Sequence, residues 1–103
     1  MKLKLKKFGT LLISRQNGRE AYLALQPILS DLAEKEALEI SFQGVNSLSP
    51  SWADEFLRPL VEKYGARMIL KDTGNVSVEK TLSFLEKIEN INFNYCAREK
   101  TAS

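Results

Sequence analysis

Apolar and polar residues alternate from the first position. Leu3, Leu5 and, after a slip, Phe8 interleave with Lys2, Lys4 and Lys6. A period of two predicts a half-buried strand over residues 1–8, its lysines facing water and guarding a sheet edge against further pairing. Gly9 and Thr10 then predict a turn into a second strand, Leu11, Leu12 and Ile13, forming a hairpin with the first.

The period changes after Asn17. Asn17 and Glu20 have the spacing of a helix cap with its reciprocal acid, and Ala21, Leu25, Ile28, Leu29 and Leu32 recur at three and four residues. A first helix ending near Lys35 follows. Pro27 within it removes one backbone donor and predicts a kink near Leu23 to Gln26 or a late helix start. Leu38, Ile40 and Phe42 alternate with Glu39 and Ser41 as a third strand. A polar elbow over residues 43–50 then opens a second helix with the stripe Ala53, Phe56, Leu57, Leu60, Val61 and Tyr64. Glu55, Arg58 and Glu62 fall toward the other side, Pro59 predicts a bend at Glu55, and Gly65 is a natural stop.

Met68, Ile69 and Leu70 form an uninterrupted apolar triplet, the pattern of a strand covered on both faces. Asp72 to Asn75 turns the chain, and Ser77 is positioned to cap a third helix with the stripe Val78, Leu82, Leu85 and Ile88 or Glu89. Ile91, Phe93 and Tyr95 alternate with asparagines as a short last strand, and residues 97–103 read as a flexible C-terminal tail. The expected architecture is α/β: one domain over residues 1–96, a mixed four- to five-stranded sheet, and helices packed mainly on one face. The elbow then lies at the carboxyl end of a sheet strand, where α/β proteins place their sites.

Composition narrows the chemistry. In 103 residues, 15 basic and 13 acidic side chains leave a net charge of +2, too balanced for the basic stripe of a nucleic-acid binder. No apolar run approaches the roughly 18 residues that span a bilayer, and the basic start is not followed by a signal-peptide apolar block, so a cytoplasmic protein without a membrane partner is expected. The single cysteine, Cys96, has no internal disulfide partner and no activating base beside it in sequence. The chain holds no histidine. Ser-His and Cys-His nucleophile pairs and imidazole metal ligands are therefore excluded, and neither a metal, a cofactor nor an enzymatic activity is expected.

What is left is the elbow. Ser47, Ser49 and Ser51 fall where a helix begins, at backbone N–H groups that lack intrahelical partners. Ser49 before Pro50 matches a cap followed by proline at the first helical position, whereas Ser51 with Asp54 matches a capping box. Only one of them is the cap, and the other is the regulatory candidate, with Ser51 favoured. Asp54 and Glu55 point about 100° apart on a helix, which disfavours a catalytic pair and suits dipole stabilisation or a salt link to Arg15 or Arg19. Trp52, the only tryptophan, is either an exposed interface anchor or core.

The run QGVNSLSPSWADEFLRPL resembles the signature of a STAS-like family of unassigned function. Its motif is an aromatic residue followed by Ala-Asp-Glu, here Trp52, Ala53, Asp54 and Glu55. LLISR from Leu11 and LKDTGN from Leu70 fit the same pattern. The order of elements is similar to the STAS fold of anti-sigma factor antagonists. The resemblance implies a STAS-like sheet and a small bacterial regulatory module that docks a partner protein through residues 46–58, with Ser49, Ser51, Trp52, Asp54, Glu55 and Arg58 meeting the partner. An alternative it implies is an antagonist switched by phosphorylation from an ATP-binding anti-sigma-type serine kinase. The family's acceptor aligns with Pro50, which has no hydroxyl, so Ser51 or Ser49 would take the phosphate. A further alternative, from the helix N-terminus, is a nucleotide or anion held at the elbow.

Overall fold

The computed structural model describes residues 1–95. Cys96 and the tail expected over residues 97–103 lie outside them. The elements are β1 (Lys2–Lys4), β2 (Leu11–Leu12), α1 (Arg15–Leu29), β3 (Leu38–Ser41), β4 (Ser47–Leu48), α2 (Pro50–Tyr64), β5 (Met68–Lys71), α3 (Val76–Ile88) and β6 (Asn94–Tyr95). An α/β fold is therefore present.

The strand pairing departs from the expected hairpin. β1 pairs in parallel with β3, β3 with β5, and β5 with β6, making a four-stranded sheet in the order β1-β3-β5-β6. β2 pairs in parallel with β4 in a separate two-stranded sheet. Every ladder among the described residues is parallel, so the mixed sheet is corrected to parallel pairing. The slip before Phe8 is the cause: residues Leu5–Phe8 form a 3-10 turn that ends β1 at Lys4, and Gly9 adopts a φ of 128° that carries β2 away from β1.

The register sets one buried face. Leu3, Ile40 and Leu70 lie abreast on β1, β3 and β5, and all are buried, as are Leu38 and Met68 two residues earlier. The alternate positions Lys2, Lys4, Glu39, Ser41, Ile69 and Lys71 are exposed or half-buried. Ile69 is therefore not sealed on both sides as its apolar triplet suggested, and the strand obeys the same alternation as its neighbours. Phe93 adds to the core just before β6, the short last strand that the asparagine alternation predicted.

Helix α1 starts earlier and stops earlier than its sequence pattern suggests. Ser14, not Asn17, is the N-cap, accepting a hydrogen bond from the Asn17 N–H at 3.0 Å. The helix ends at Leu29, two residues after Pro27, with Ala21, Leu25 and Leu29 buried and Ile28 on its exposed side. Pro27 has no N–H to offer the Leu23 carbonyl four residues back, and the helix ends within a turn of it. α2 runs unbroken through Pro59 and buries Trp52, Ala53, Phe56, Leu57, Leu60, Val61 and Tyr64, the predicted stripe with the indole added. α3 buries Val78, Thr81, Leu82 and Leu85 but leaves Ile88 62% exposed. Its cap is Asn75 and not Ser77: the Asn75 side chain accepts from the N–H groups of Ser77 and Val78.

Candidate functional site

The elbow between β3 and α2 is built by backbone pairing with β2. The Phe42 carbonyl accepts from the Val45 N–H in a turn where Gly44 takes a φ of 84°. The Thr10 carbonyl then accepts from Asn46 and Ser47, and the Leu12 carbonyl from Ser49. Leu48 is held from its other side by α3: its N–H donates to Ser77 Oγ at 3.0 Å, and its carbonyl accepts from Thr81 Oγ1 at 2.6 Å. Asn75 Nδ2 donates to the carbonyls of Val45 and Asn46. Ser77, Thr81 and Asn75 thus clamp the elbow onto α3. The sequence pattern places Asn75 in a turn and Ser77 at a helix cap, does not single out Thr81, and misses that role.

Ser49 is committed to structure. Its hydroxyl accepts from the Trp52 N–H at 3.1 Å and donates to the Ile13 carbonyl, so one side chain both caps α2 and ties it to the end of β2. Pro50 follows as the first helical residue, where its missing donor costs nothing. The alternative capping box does not form. Ser51 is half-buried, and its hydroxyl makes no hydrogen bond among the described residues. The Ala53 N–H is taken by the Ser49 carbonyl, which leaves the Ser51 N–H as the donor of this first turn without a partner there.

Trp52 is core. It is 1% exposed and stacks on Phe56 with ring centroids 4.8 Å apart, while Phe8 lies 6.4 Å from Trp52 and packs edge-on against Phe56 at 5.5 Å. As an exposed partner-binding anchor it is therefore corrected. The reason lies in the helix phase: Trp52 and Phe56 are one turn apart on the buried face, and Phe8 of the 3-10 turn, remote in sequence, covers them.

Asp54, Glu55 and Arg58 come together in an ionic cluster. Arg15 Nη1 reaches Asp54 at 2.9 Å and Glu55 at 2.6 Å, the salt link expected from Arg15 or Arg19. Arg58 Nε binds Asp54 at 2.8 Å and lies 3.9 Å from Glu89, with Glu62 at 3.5 Å from its Nη1. Three helices meet here. Partial burial pushes the Asp54 carboxyl up, but hydrogen bonds from Arg15 and Arg58 outweigh it and hold the group below the ordinary carboxylate range. Bonding to Asp54 first, and to Glu55 for Arg15, raises both guanidinium values, so Asp54, Arg15 and Arg58 are charged at neutral pH. Arg19, Tyr22, Leu23 and Pro59 join them around a shallow depression of about 200 Å³ between α1 and α2.

An apolar rim that the sequence reading did not single out flanks the elbow. Leu11 is 63% exposed beside Ser47 across the β2–β4 ladder, Ile13 is 48% exposed next to the Ser49 tie, and Val76 is 63% exposed at the start of α3. The run Leu11, Leu12, Ile13 signalled it: only Leu12 of the three is buried. Among the described residues no group of three or more His, Cys, Asp or Glu is arranged to hold a metal ion, and no helix is long and apolar enough to cross a membrane.

A parallel α/β sheet with a capped polar elbow opening its second helix defines a STAS-like domain. The comparison with family models agrees: the chain belongs to the family described as STAS-like domain of unknown function (DUF4325), whose model matches residues 25–78, just over half of the chain. The match runs from the buried side of α1 through β3, the elbow, α2 and β5 into the first turn of α3. Ser49, Ser51, Trp52, Asp54, Glu55 and Arg58 all lie within it. No curated protein and no solved structure matches the chain.

Proposed function

We propose that this domain is a non-catalytic regulatory module of the cytoplasm, with its helices mainly on one face of the sheet, that docks a partner protein through the elbow at residues 46–58. The observation that carries the reading is Ser51. Its neighbour Ser49 is consumed by capping, while the Ser51 hydroxyl at the start of α2 makes no hydrogen bond among the described residues, and the exposed side chains of Leu11, Ile13 and Val76 flank the same elbow. Apolar residues held on a rigid ladder beside a polar centre form the usual anatomy of an interface. Asp54, Glu55 and Arg58 contribute as a preorganised charged flank, and Trp52 contributes from beneath by fixing the helix.

The test is affinity capture from the source cell followed by titration of the recovered partner. Leu11→Asp, Val76→Asp and Ser51→Glu are expected to weaken its binding at least tenfold, with the circular dichroism of the free domain unchanged. Unaltered affinity in all three variants removes the elbow as the docking surface.

A second reading makes the same elbow a phospho-switch run by a partner serine kinase, and the Ser51 hydroxyl, without a hydrogen bond among the described residues, favours it. A phosphate on Ser51 adds about −1.5 to −2 charge next to Asp54 and Glu55, three and four residues on, so it would repel a partner that accepts the unmodified surface. Mass spectrometry after incubation with the candidate kinase tests this. Phosphate on Ser51 supports the switch, and its absence there rules that kinase out.

A further inference from the structure

The face of the sheet opposite its buried one carries a second arrangement, separate from the elbow. Parallel pairing brings the carboxyl ends of three neighbouring strands level, and the register sets Lys4, Ser41 and Lys71 abreast on β1, β3 and β5. All three belong to the exposed or half-buried face. Neighbouring strands lie about 4.8 Å apart, so two ammonium-bearing side chains straddle one hydroxyl with their backbones about 10 Å apart. A concavity of about 240 Å³ opens around the row.

The charges within it are only partly matched. Lys71 faces Glu39 at 3.4 Å, a long pair between half-exposed groups, whereas Lys4 and its neighbour Lys2 make no ion pair among the described residues. Ser41 is held in place: its hydroxyl donates to Asp72 Oδ2 at 2.5 Å and accepts from the Gln43 N–H at 3.2 Å. Asp72 takes a left-handed backbone with φ of 56°, uncommon for a residue with a side chain, and this conformation brings its carboxylate back over the end of β3. Open α/β sheets hold their ligands at this end of the strands.

We propose that this row is a binding site for a small phosphorylated, hydroxyl-bearing molecule of the sugar-phosphate class. Lys4 and Lys71 clasp the phosphoryl group from either side. The carboxylates of Asp72 and Glu39 accept hydrogen bonds from the ligand's hydroxyls and disfavour ligands that are purely anionic. The site is a different surface from the elbow, and either one stands without the other.

The experiment is an amide-shift titration of the full chain by NMR with glucose 6-phosphate, ribose 5-phosphate and glycerol 3-phosphate, against inorganic phosphate and glucose. Saturable shifts centred on Lys4, Ser41, Lys71 and Asp72 with at least one sugar or polyol phosphate are expected, at least tenfold tighter than with inorganic phosphate. Lys4→Glu should weaken that binding at least tenfold and Ser41→Ala measurably, while Lys80→Glu on α3 leaves it unchanged. Lys4 is exposed and makes no ion pair among the described residues, so this variant keeps the fold. Absence of saturable shifts with all three phosphates overturns the assignment. So does inorganic phosphate binding as tightly as they do, shifts centred on Ser51, or full affinity in Lys4→Glu.

Discussion

Gly18 of α1 rests directly on the backbone of Trp52 in α2: a methyl group placed on Gly18 would come within 2.6 Å of the Trp52 carbonyl oxygen and 3.0 Å of its Cα. The two helices therefore cross at a point where one of them has no side chain, and the obstacle is main chain that cannot swing aside.

Replacing Gly18 by Ala should accordingly destabilise the domain although it improves helix propensity. The propensity gain is at most about 1 kcal/mol, against about 1–3 kcal/mol for forcing two packed elements apart. Urea denaturation is expected to show a lower midpoint with an unchanged slope. A midpoint equal to or above that of the wild type would mean that the crossing relaxes freely.

Trp52→Ala should cost about 3–5 kcal/mol and in a domain of this size threaten folding altogether, because it empties the space between Phe8 and Phe56. Trp52 is the only tryptophan, so its fluorescence reports the site directly. Emission from the native protein should be blue-shifted and poorly quenched by acrylamide. Ready quenching would return the indole to the surface.

The Asp54 carboxylate gives a pH dependence whose sign is fixed. Its folded value is lowered by Arg15 and Arg58, so its contribution is fully present above the unfolded value and disappears as pH falls through the folded one. Stability should decline between about pH 5 and about pH 3, near and below the ordinary aspartate value of about 3.9. Asp54→Asn should flatten that part of the profile. An identical slope in this variant, measured by urea midpoints across the range, would place the dependence elsewhere.

Two serines one proline apart should behave differently. Ser49→Ala removes the cap of α2 and its tie to Ile13, costing about 1–2 kcal/mol, whereas Ser51→Ala, which breaks no hydrogen bond among the described residues, should stay within about 0.5 kcal/mol of the wild type. Thermal unfolding of the pair separates the two roles, and equal losses would contradict the assignment of the cap to Ser49.

The elbow itself was legible because its signals are local. Serine before proline, an apolar stripe at helical spacing and a glycine stop each act within one turn, and the α2 pattern is buried as its sequence implies. Arg15 as the partner of Asp54 and Glu55 was half-legible: the charges were evident, but choosing Arg15 over Arg19 required the phase of α1, which Ser14 sets one residue before the ion-pairing Arg15. The caps of α1 and α3 were misplaced by two or three residues, since Ser14, Asn17, Asn75 and Ser77 all have suitable chemistry and only the approach of the rest of the chain decides among them. In α3 that approach is Leu48, which draws Ser77 and Thr81 away from local bonding.

Sequence by itself determined the alternation that marks one face of each strand for burial, the three amphipathic helices, the α/β class, and the absence of imidazole chemistry. These depend on residue type and spacing alone, and hydrophobic burial acts on them in nearly any tertiary setting. Tertiary structure decided the rest: that β1 pairs in parallel with β3 and not in a hairpin with β2, that Trp52 is covered by Phe8, that Gly18 is the crossing point of α1 and α2, and that Lys4, Ser41 and Lys71 stand in one row. Each joins residues far apart in the chain, and the free energy of such a contact exists only once the intervening loop has closed.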